Sequence, residues 1–173
     1  MLLSEFNQAS PSSIKKCLLH CVHIERWANE IIMHRPFVSI EALISFANLQ
    51  AKTWSWEEIL LALNTHPRIG EKKAQQQLSE KEIMFSDHEQ SMVSQDQEIL
   101  DEILKANIAY EKRFGYIFLI KATGLNSEEI LTALNYRLLN DSEMERRIVH
   151  QQLLDIALLR LVQEIQSDEY PFS

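Results

Sequence analysis

Glycine, proline and cysteine are all scarce in this chain, and each scarcity excludes a class of structure. Three glycines and four prolines among 173 residues leave few positions suited to the tight turns of a many-stranded β fold. Residues that favour helices, such as Leu, Ile, Glu, Lys and Gln, are abundant instead. The two cysteines, Cys17 and Cys21, provide no disulfide framework of the kind found in small secreted domains. The composition therefore predicts an all-α, reduced, intracellular protein.

Basic charge is also in short supply, with 17 Lys and Arg residues against 25 Asp and Glu residues. The formal net charge of −8 argues against nucleic acid as a partner, because phosphate binding requires a basic surface. No apolar stretch is long enough to span a bilayer, and the N-terminus lacks the pattern of a signal peptide. We therefore expect a cytoplasmic protein that binds neither nucleic acid nor membrane. A small anionic ligand is compatible with this charge, since one well-placed Arg can dominate a local site.

Signals for helix starts and stops recur along the chain and predict a single compact all-α domain, residues 1–173, of roughly seven to eight helices. Ser10 before Pro11 starts a helical run that extends to Met33, and Pro36 ends it. Ser39 can cap the next helix. Further capping boxes are predicted at Ser55 with Glu58, Ser86 with Glu89, Asn126 with Glu129, and Ser142 with Glu145.

Apolar spacing predicts which faces of the later helices are buried. In the helix that Gly115 ends, one face carries Ile99, Leu100, Ile103, Leu104 and Ile108. In the last helix, from about 143 to 166, the residues expected to point inward are Ile148, Leu154, Leu158, Leu161 and Ile165. The short run YIFLI, residues 116–120, has no partner strand, so we expect it to form a connector in the core.

His66, in the stretch NTHPRIG, is the first candidate for chemistry. Pro67 disfavours the helical conformation at the residue before it, so His66 should lie outside the preceding helix, extended and facing outward. Its imidazole titrates near neutral pH, as a general acid or base requires. The alternative is a histidine that merely benefits from the dipole at a helix C-terminus. Spacing alone leaves both interpretations open and favours the second.

Three other groups each have a structural and a functional interpretation. Arg160, on an apolar helix, can reach the surface, pair with Asp155 or Glu164, or bind a substrate carboxylate. The stretch SDHEQ, residues 86–90, contains a capping box, and it can also present backbone N–H groups to an anionic ligand. A metal site would need four converging ligands, but His23 points away from Cys17 on the predicted helix. The cluster of side chains formed by Cys17, His20, Cys21 and His23 is therefore not expected to bind metal.

Five stretches in series carry a resemblance to a known family. They are RWANEIIMHRPF (26–37), HPRIG (66–70), SDHEQ (86–90), NIAYEKRFGYIFLIKATG (107–124) and LLRL (158–161). In this order the chain resembles the decarboxylases of 2-oxo-4-hydroxy-4-carboxy-5-ureidoimidazoline (OHCU) of urate degradation. Ile117 departs from the pattern, because many members have a proline there.

The resemblance implies an all-α, homodimeric enzyme that uses no metal or organic cofactor and converts OHCU to (S)-allantoin and carbon dioxide. It implies His66 and Glu89 as catalytic residues. The substrate-binding residues that it implies are Pro67, Ser86, Asp87, His88, Gln90, Leu119, Ile120, Lys121, Ala122, Thr123 and Arg160. Contacts from Pro67 and from residues 119–123 are expected to be made largely by the backbone.

Two functions of other classes remain as alternatives to a carboxy-lyase. One is a non-catalytic helical module that binds a purine-like ligand or a partner helix. The other is a metal-binding helical protein.

Overall fold

The structure is a computed structural model that describes residues 1–69 and 97–168. These residues form eight α-helices, which we number in chain order. They are α1 (Leu3–Gln8), α2 (Pro11–Cys21), α3 (Glu25–His34), α4 (Ile40–Ala51), α5 (Trp56–Leu63), α6 (Gln97–Phe114), α7 (Ser127–Arg137) and α8 (Ser142–Glu164). The β structure in the described residues amounts to one isolated bridge between Leu2 and Gln166. The all-α prediction is confirmed.

The helix starts follow the capping residues read from the sequence. The side chains of Ser10 and Ser39 each accept a hydrogen bond from the backbone N–H three residues on. Ser55 and Glu58 form the reciprocal pair of a capping box, at 2.9 and 3.2 Å. Asn126 Oδ1 accepts from the Glu129 N–H at 2.9 Å. These bonds satisfy backbone N–H groups that have no partner within the helix.

The sequence predicted one continuous helical run after Pro11, and this prediction is wrong, because the segment forms two helices, α2 and α3. Val22 is extended, with φ −156°, and the chain re-enters a helix only at Glu25. Val22 and Ile24 are buried while His23 between them is exposed. This alternation is that of an extended strand, so the break lets both β-branched side chains reach the core.

The chain divides into two compact units, Met1–Glu58 with Leu154–Ser173, and Ile59–Leu153. In the first unit Trp27 is fully buried and donates from Nε1 to the Ala47 carbonyl at 3.1 Å. The second unit has a hydrophobic core cluster formed by α6, α7 and the connector between them. Its buried members are Ile103, Ala106, Tyr110, Phe118, Ala122, Ile130 and Leu134.

The buried face of α6 differs from the predicted one. Ile103 is buried as predicted, but Leu104 and Ile108 are 55% and 62% exposed. The other buried residues of the helix are Ala106, Asn107 and Tyr110. The apolar spacing was compatible with two neighbouring faces, and packing against α7 and the connector selected the one that carries Tyr110. In α8, Leu154, Leu161 and Ile165 are buried as predicted, and Ile148 and Leu158 are half-buried.

Candidate active site

The predicted site residues fall into three groups. His66, Pro67 and residues 119–123 lie in the second unit, and Arg160 lies in the first. The predicted catalytic residue Glu89 and the predicted substrate-binding residues Ser86, Asp87, His88 and Gln90 lie outside the described residues.

His66 lies on a turn directly after α5. Hydrogen bonds from the N–H groups of Asn64, Thr65 and His66 reach the carbonyls three residues before them, at 3.1 to 3.3 Å. These bonds tighten the end of the helix before Pro67 stops it. The ring lies outside the helix as predicted, but it does not face outward: the side chain is half-buried and its Nε2 atom is shielded from solvent.

The residues after His66 fix this turn against α6. The guanidinium of Arg68 forms a two-point ion pair with the Glu111 carboxylate, and the Nη2–Oε2 contact measures 3.2 Å. The buried Asn107 donates from Nδ2 to the Ile69 carbonyl at 3.3 Å. Such paired, charge-assisted contacts restrict orientation as well as distance. The position of His66 is thereby tied to α6.

The connector between α6 and α7 has the predicted irregular conformation and lies in the core of the second unit. Leu119 and Ala122 are buried, Ile120 and Lys121 are half-buried, and Thr123 is exposed. Ile69 packs against the same core cluster that contains Phe118 and Ala122. Helix α6 and its core thus bring the residues after His66 and the connector together in one unit.

A buried polar network underlies the connector. Glu145 accepts hydrogen bonds from the Tyr110 hydroxyl at 2.5 Å, from Arg137 Nε at 2.8 Å and from Asn140 Nδ2 at 3.1 Å. Burial, and then the hydrogen bond to Glu145, raise the pKa of Tyr110 far above its ordinary value. The Tyr110 hydroxyl is therefore a hydrogen-bond donor throughout the physiological pH range.

Sequence pattern alone missed this network and misassigned one of its members. The capping box predicted for Ser142 and Glu145 is wrong, because Asp141 caps α8 by accepting from the Met144 N–H at 2.8 Å. Glu145 is instead fully buried. Tyr110 and Glu111 fall within the stretch 107–124 that carries the family resemblance, and this was the available signal for them.

Arg160 is 4% exposed, which removes the interpretation that it reaches the surface. Its Nη1 donates to the carbonyl of Cys21 at 3.4 Å. Cys21 is the last residue of α2, so its carbonyl has no partner within that helix, and Arg160 supplies one. A guanidinium also has the chemistry to bind a carboxylate or a carbonyl-bearing ligand.

Two further observations concern metal binding and membrane spans. Cys17 and Cys21 are buried free thiols, and within the described ranges no three His, Cys, Asp or Glu side chains are arranged to hold a metal ion. None of the helices in residues 1–69 and 97–168 has the length and apolarity that a bilayer span requires.

Comparison with known proteins identifies the family. The family model described as OHCU decarboxylase matches residues 7–162. The chain belongs to the OHCU decarboxylase family. The resemblance to this family that the five stretches carried is confirmed.

Individual relatives differ in how much of their length the chain covers. A 2-oxo-4-hydroxy-4-carboxy-5-ureidoimidazoline decarboxylase of Haloferax volcanii is 28% identical over 134 residues, which cover 78% of this chain and 77% of that protein. The uric acid degradation bifunctional protein TTL of Arabidopsis thaliana is 27% identical over 149 residues, 82% of this chain. The chain spans only 44% of that plant protein.

Solved structures share the fold. A crystal structure of OHCU decarboxylase in the presence of (S)-allantoin superposes with a TM-score of 0.67 at 23% identity, covering 83% of this chain and 93% of the other. A structure of (S)-allantoin synthase gives the same TM-score at 19% identity, covering 95% of this chain and 54% of the other. At these identities the similarity establishes the fold.

Proposed function

We propose that this OHCU decarboxylase family member converts OHCU to (S)-allantoin and carbon dioxide in urate degradation. The observation that carries the proposal is the family match across residues 7–162, which includes every residue that the resemblance implied for the site. A relative named as the decarboxylase and a structural neighbour crystallised with (S)-allantoin support the same reaction.

The substrate itself explains why this chemistry needs no electron-accepting cofactor. The carboxylate is attached to a ring carbon that bears a hydroxyl and adjoins a C=N bond. When the bond to carbon dioxide breaks, its electron pair forms a C=C bond, and the former C=N nitrogen takes up electrons and a proton. The resulting enol then tautomerises: its hydroxyl loses a proton to become a C=O group, and the former C=N carbon gains a proton. Protonation of one face of that carbon gives the (S) product.

The roles of the side chains follow from this sequence of events. The enzyme must orient the carboxylate, stabilise developing charge and deliver a proton to one face. We assign proton delivery to His66, whose turn is anchored through Arg68 to Glu111. Glu89, outside the described residues, is the second catalytic candidate, with the other members of SDHEQ at the substrate.

Arg160 and backbone groups complete the proposed substrate site. A guanidinium suits the ring carbonyl or the ureido group of OHCU, and Pro67 and residues 119–123 would contact the substrate through the backbone. We further propose that residues 1–173 act as one domain, that the protein is a cytoplasmic homodimer, and that it requires neither a metal nor an organic cofactor.

The product's chirality tests the function. Spontaneous decarboxylation of OHCU gives racemic allantoin, so freshly generated OHCU should be followed by circular dichroism with and without the protein. We expect an excess of (S)-allantoin only with the protein. A racemic product at the uncatalysed rate would refute the assignment, and thermal stabilisation by OHCU without turnover would indicate the non-catalytic binding module instead.

The role of His66 is tested separately. His66→Ala should lower kcat by about 10²- to 10⁴-fold, the usual contribution of a positioned acid or base, while the folded state is retained. His23→Ala is the matched control, because His23 is exposed and lies outside the helices. Full activity in His66→Ala would remove His66 from the mechanism but leave the decarboxylase assignment intact.

A further inference from the structure

A buried ion pair lies beneath the connector that the proposed function places at the substrate. The side chains of Arg137 and Glu145 are 7% and 0% exposed, and Arg137 Nη2 lies 2.6 Å from Glu145 Oε1. Burial of two charges costs several kcal/mol per ion, and apolar side chains of similar volume often stabilise a fold as well or better. Stability alone therefore gives no reason for a pair here.

Arg137 reaches the connector at two points. Its Nη1 donates to the Leu119 carbonyl at 2.6 Å, and its guanidinium carbon lies 4.5 Å from the centre of the Phe118 ring. Nε donates to Glu145 Oε1 at 2.8 Å, and Nη2 lies 2.6 Å from the same oxygen as an ion-pair contact without a hydrogen bond. Glu145 therefore fixes the plane of the guanidinium, and the guanidinium fixes the Leu119 carbonyl.

Two more bonds hold the connector in the same way. The Lys121 N–H donates to Gln152 Oε1 at 2.8 Å, and the Ala122 carbonyl accepts from the Leu125 N–H at 3.0 Å. Together with Arg137, these bonds use one polar group in each of three peptide units: 119–120, 120–121 and 122–123.

The other polar group of each unit is thereby aimed in the opposite direction. All three peptide bonds are trans, and in a trans peptide the C=O and N–H point to opposite sides. The groups aimed away from their anchors are the Ile120 N–H, the Ile120 carbonyl and the Thr123 N–H. None of the three makes a hydrogen bond with the described part of the chain.

We propose that Arg137 is a positioning residue: by holding the Leu119 carbonyl, it aims the Ile120 N–H at the substrate. This inference rests on the proposed function, in which residues 119–123 contact OHCU through the backbone. Arginine suits the task because its planar fork serves Glu145 and Leu119 simultaneously with fixed geometry. A lysine, a single ammonium on a flexible chain, cannot hold both in that geometry.

The test compares Arg137→Lys with Ile130→Val in the full chain. Ile130 is fully buried in the same core cluster, so its shortening should lower Tm by about 2–4 °C without altering a bond to the connector. Glu145→Gln is the second variant, because it keeps the volume and removes the negative charge beside Arg137; it also changes the acceptor of Tyr110 and Asn140, so its result is read together with that of Arg137→Lys. Three quantities are measured: kcat and KM, the enantiomeric excess of allantoin, and hydrogen exchange of the Lys121 N–H, which is hydrogen-bonded to Gln152.

We expect Arg137→Lys and Glu145→Gln to lower kcat at least 10-fold, with a smaller change in KM, and to reduce the excess of the (S) product. Exchange of the Lys121 N–H should rise by at least 10-fold, because a loosened connector breaks its bond to Gln152 more often, while the middle of α6 stays protected. Ile130→Val should keep kcat and stereochemistry despite its lower Tm.

The inference is overturned if Arg137→Lys retains the kcat and enantiomeric excess of Ile130→Val per folded molecule, or if exchange of the Lys121 N–H is unchanged. A wild-type protein without turnover would refute the proposed function instead. In that case the exchange measurement decides alone whether Arg137 fixes the connector, and unchanged exchange refutes the role of Arg137.

Discussion

Arg160 illustrates how burial limits what a single charged residue can do. An arginine among leucines has three interpretations in the sequence, and its burial in the structure removes the one in which the charge reaches water. The bond to the Cys21 carbonyl shows that the buried guanidinium binds a carbonyl oxygen within the chain. A ligand with carbonyl or carboxylate oxygens has the same chemistry.

Arg160→Lys provides a prediction at this scale. The change keeps the positive charge but removes the fork, so two-point recognition of the substrate is lost. Because a hydrogen bond to a charged group contributes about 1.5–3 kcal/mol, kcat/KM should fall by about 10- to 100-fold in steady-state assays. Arg147→Lys, on the exposed part of α8, is the control. Equal kcat/KM for Arg160→Lys and wild type would remove Arg160 from the proposed site.

At the scale of elements, the ends of helices were easier to predict than their faces. Ser10, Ser39 and Ser55 cap helices as their sequence context indicated, because a cap is decided by residues within one turn. The sequence did not predict the whole buried face of α6 correctly, because Leu104 and Ile108 are as apolar as the buried Ile103. Only the neighbouring α7 and connector determine which of them is covered.

Gly115 ends α6 with φ +85°, a conformation that L-residues rarely adopt. An added Cβ would meet no atom within 4 Å, so Gly115→Ala should introduce backbone strain without a clash. We expect a loss of about 1–2 kcal/mol in the free energy of unfolding, measured with urea. Lys105→Ala, exposed in the middle of the same helix, should change it far less. Unaltered stability in Gly115→Ala would show that the turn relaxes.

At the scale of the whole molecule, the second unit links several predicted site segments to one core. Ile69, Phe118 and Ala122 pack in the same cluster, although they are separated by up to 53 residues in the numbering. The Tyr110 ring lies in that cluster, and its hydroxyl reaches Glu145 on α8. The protonation of the Tyr110 hydroxyl is therefore linked to the stability of the folded chain.

Tyr110→Phe tests this coupling. Burial and the Glu145 bond raise the folded-state pKa of Tyr110 above the ordinary value of 10. Below pH 10 the hydroxyl is protonated in both states; above it, only the unfolded state loses the proton, so stability falls as pH rises. Wild-type unfolding free energy should therefore fall more steeply above pH 10 than that of Tyr110→Phe, by up to about 1.4 kcal/mol per pH unit.

Urea unfolding at several pH values from 9 to 11 measures the difference in slope. Tyr136→Phe removes an exposed hydroxyl and shows what loss of any tyrosine would do. Parallel pH profiles for wild type and Tyr110→Phe would contradict the coupling.

The sequence by itself determined the helical class, most helix starts, the connector and the family. These depend on composition, local capping and short motifs, all of which act within a few residues of one another. Tertiary structure alone decided the break at Val22, the buried face of α6, and the conversion of Glu145 from a predicted cap into a buried carboxylate. Each of these depends on partners far along the chain, as when Tyr110, Arg137 and Glu145 converge beneath Leu119. No local pattern encodes that convergence, because the cost of burying a charge depends on which groups surround it.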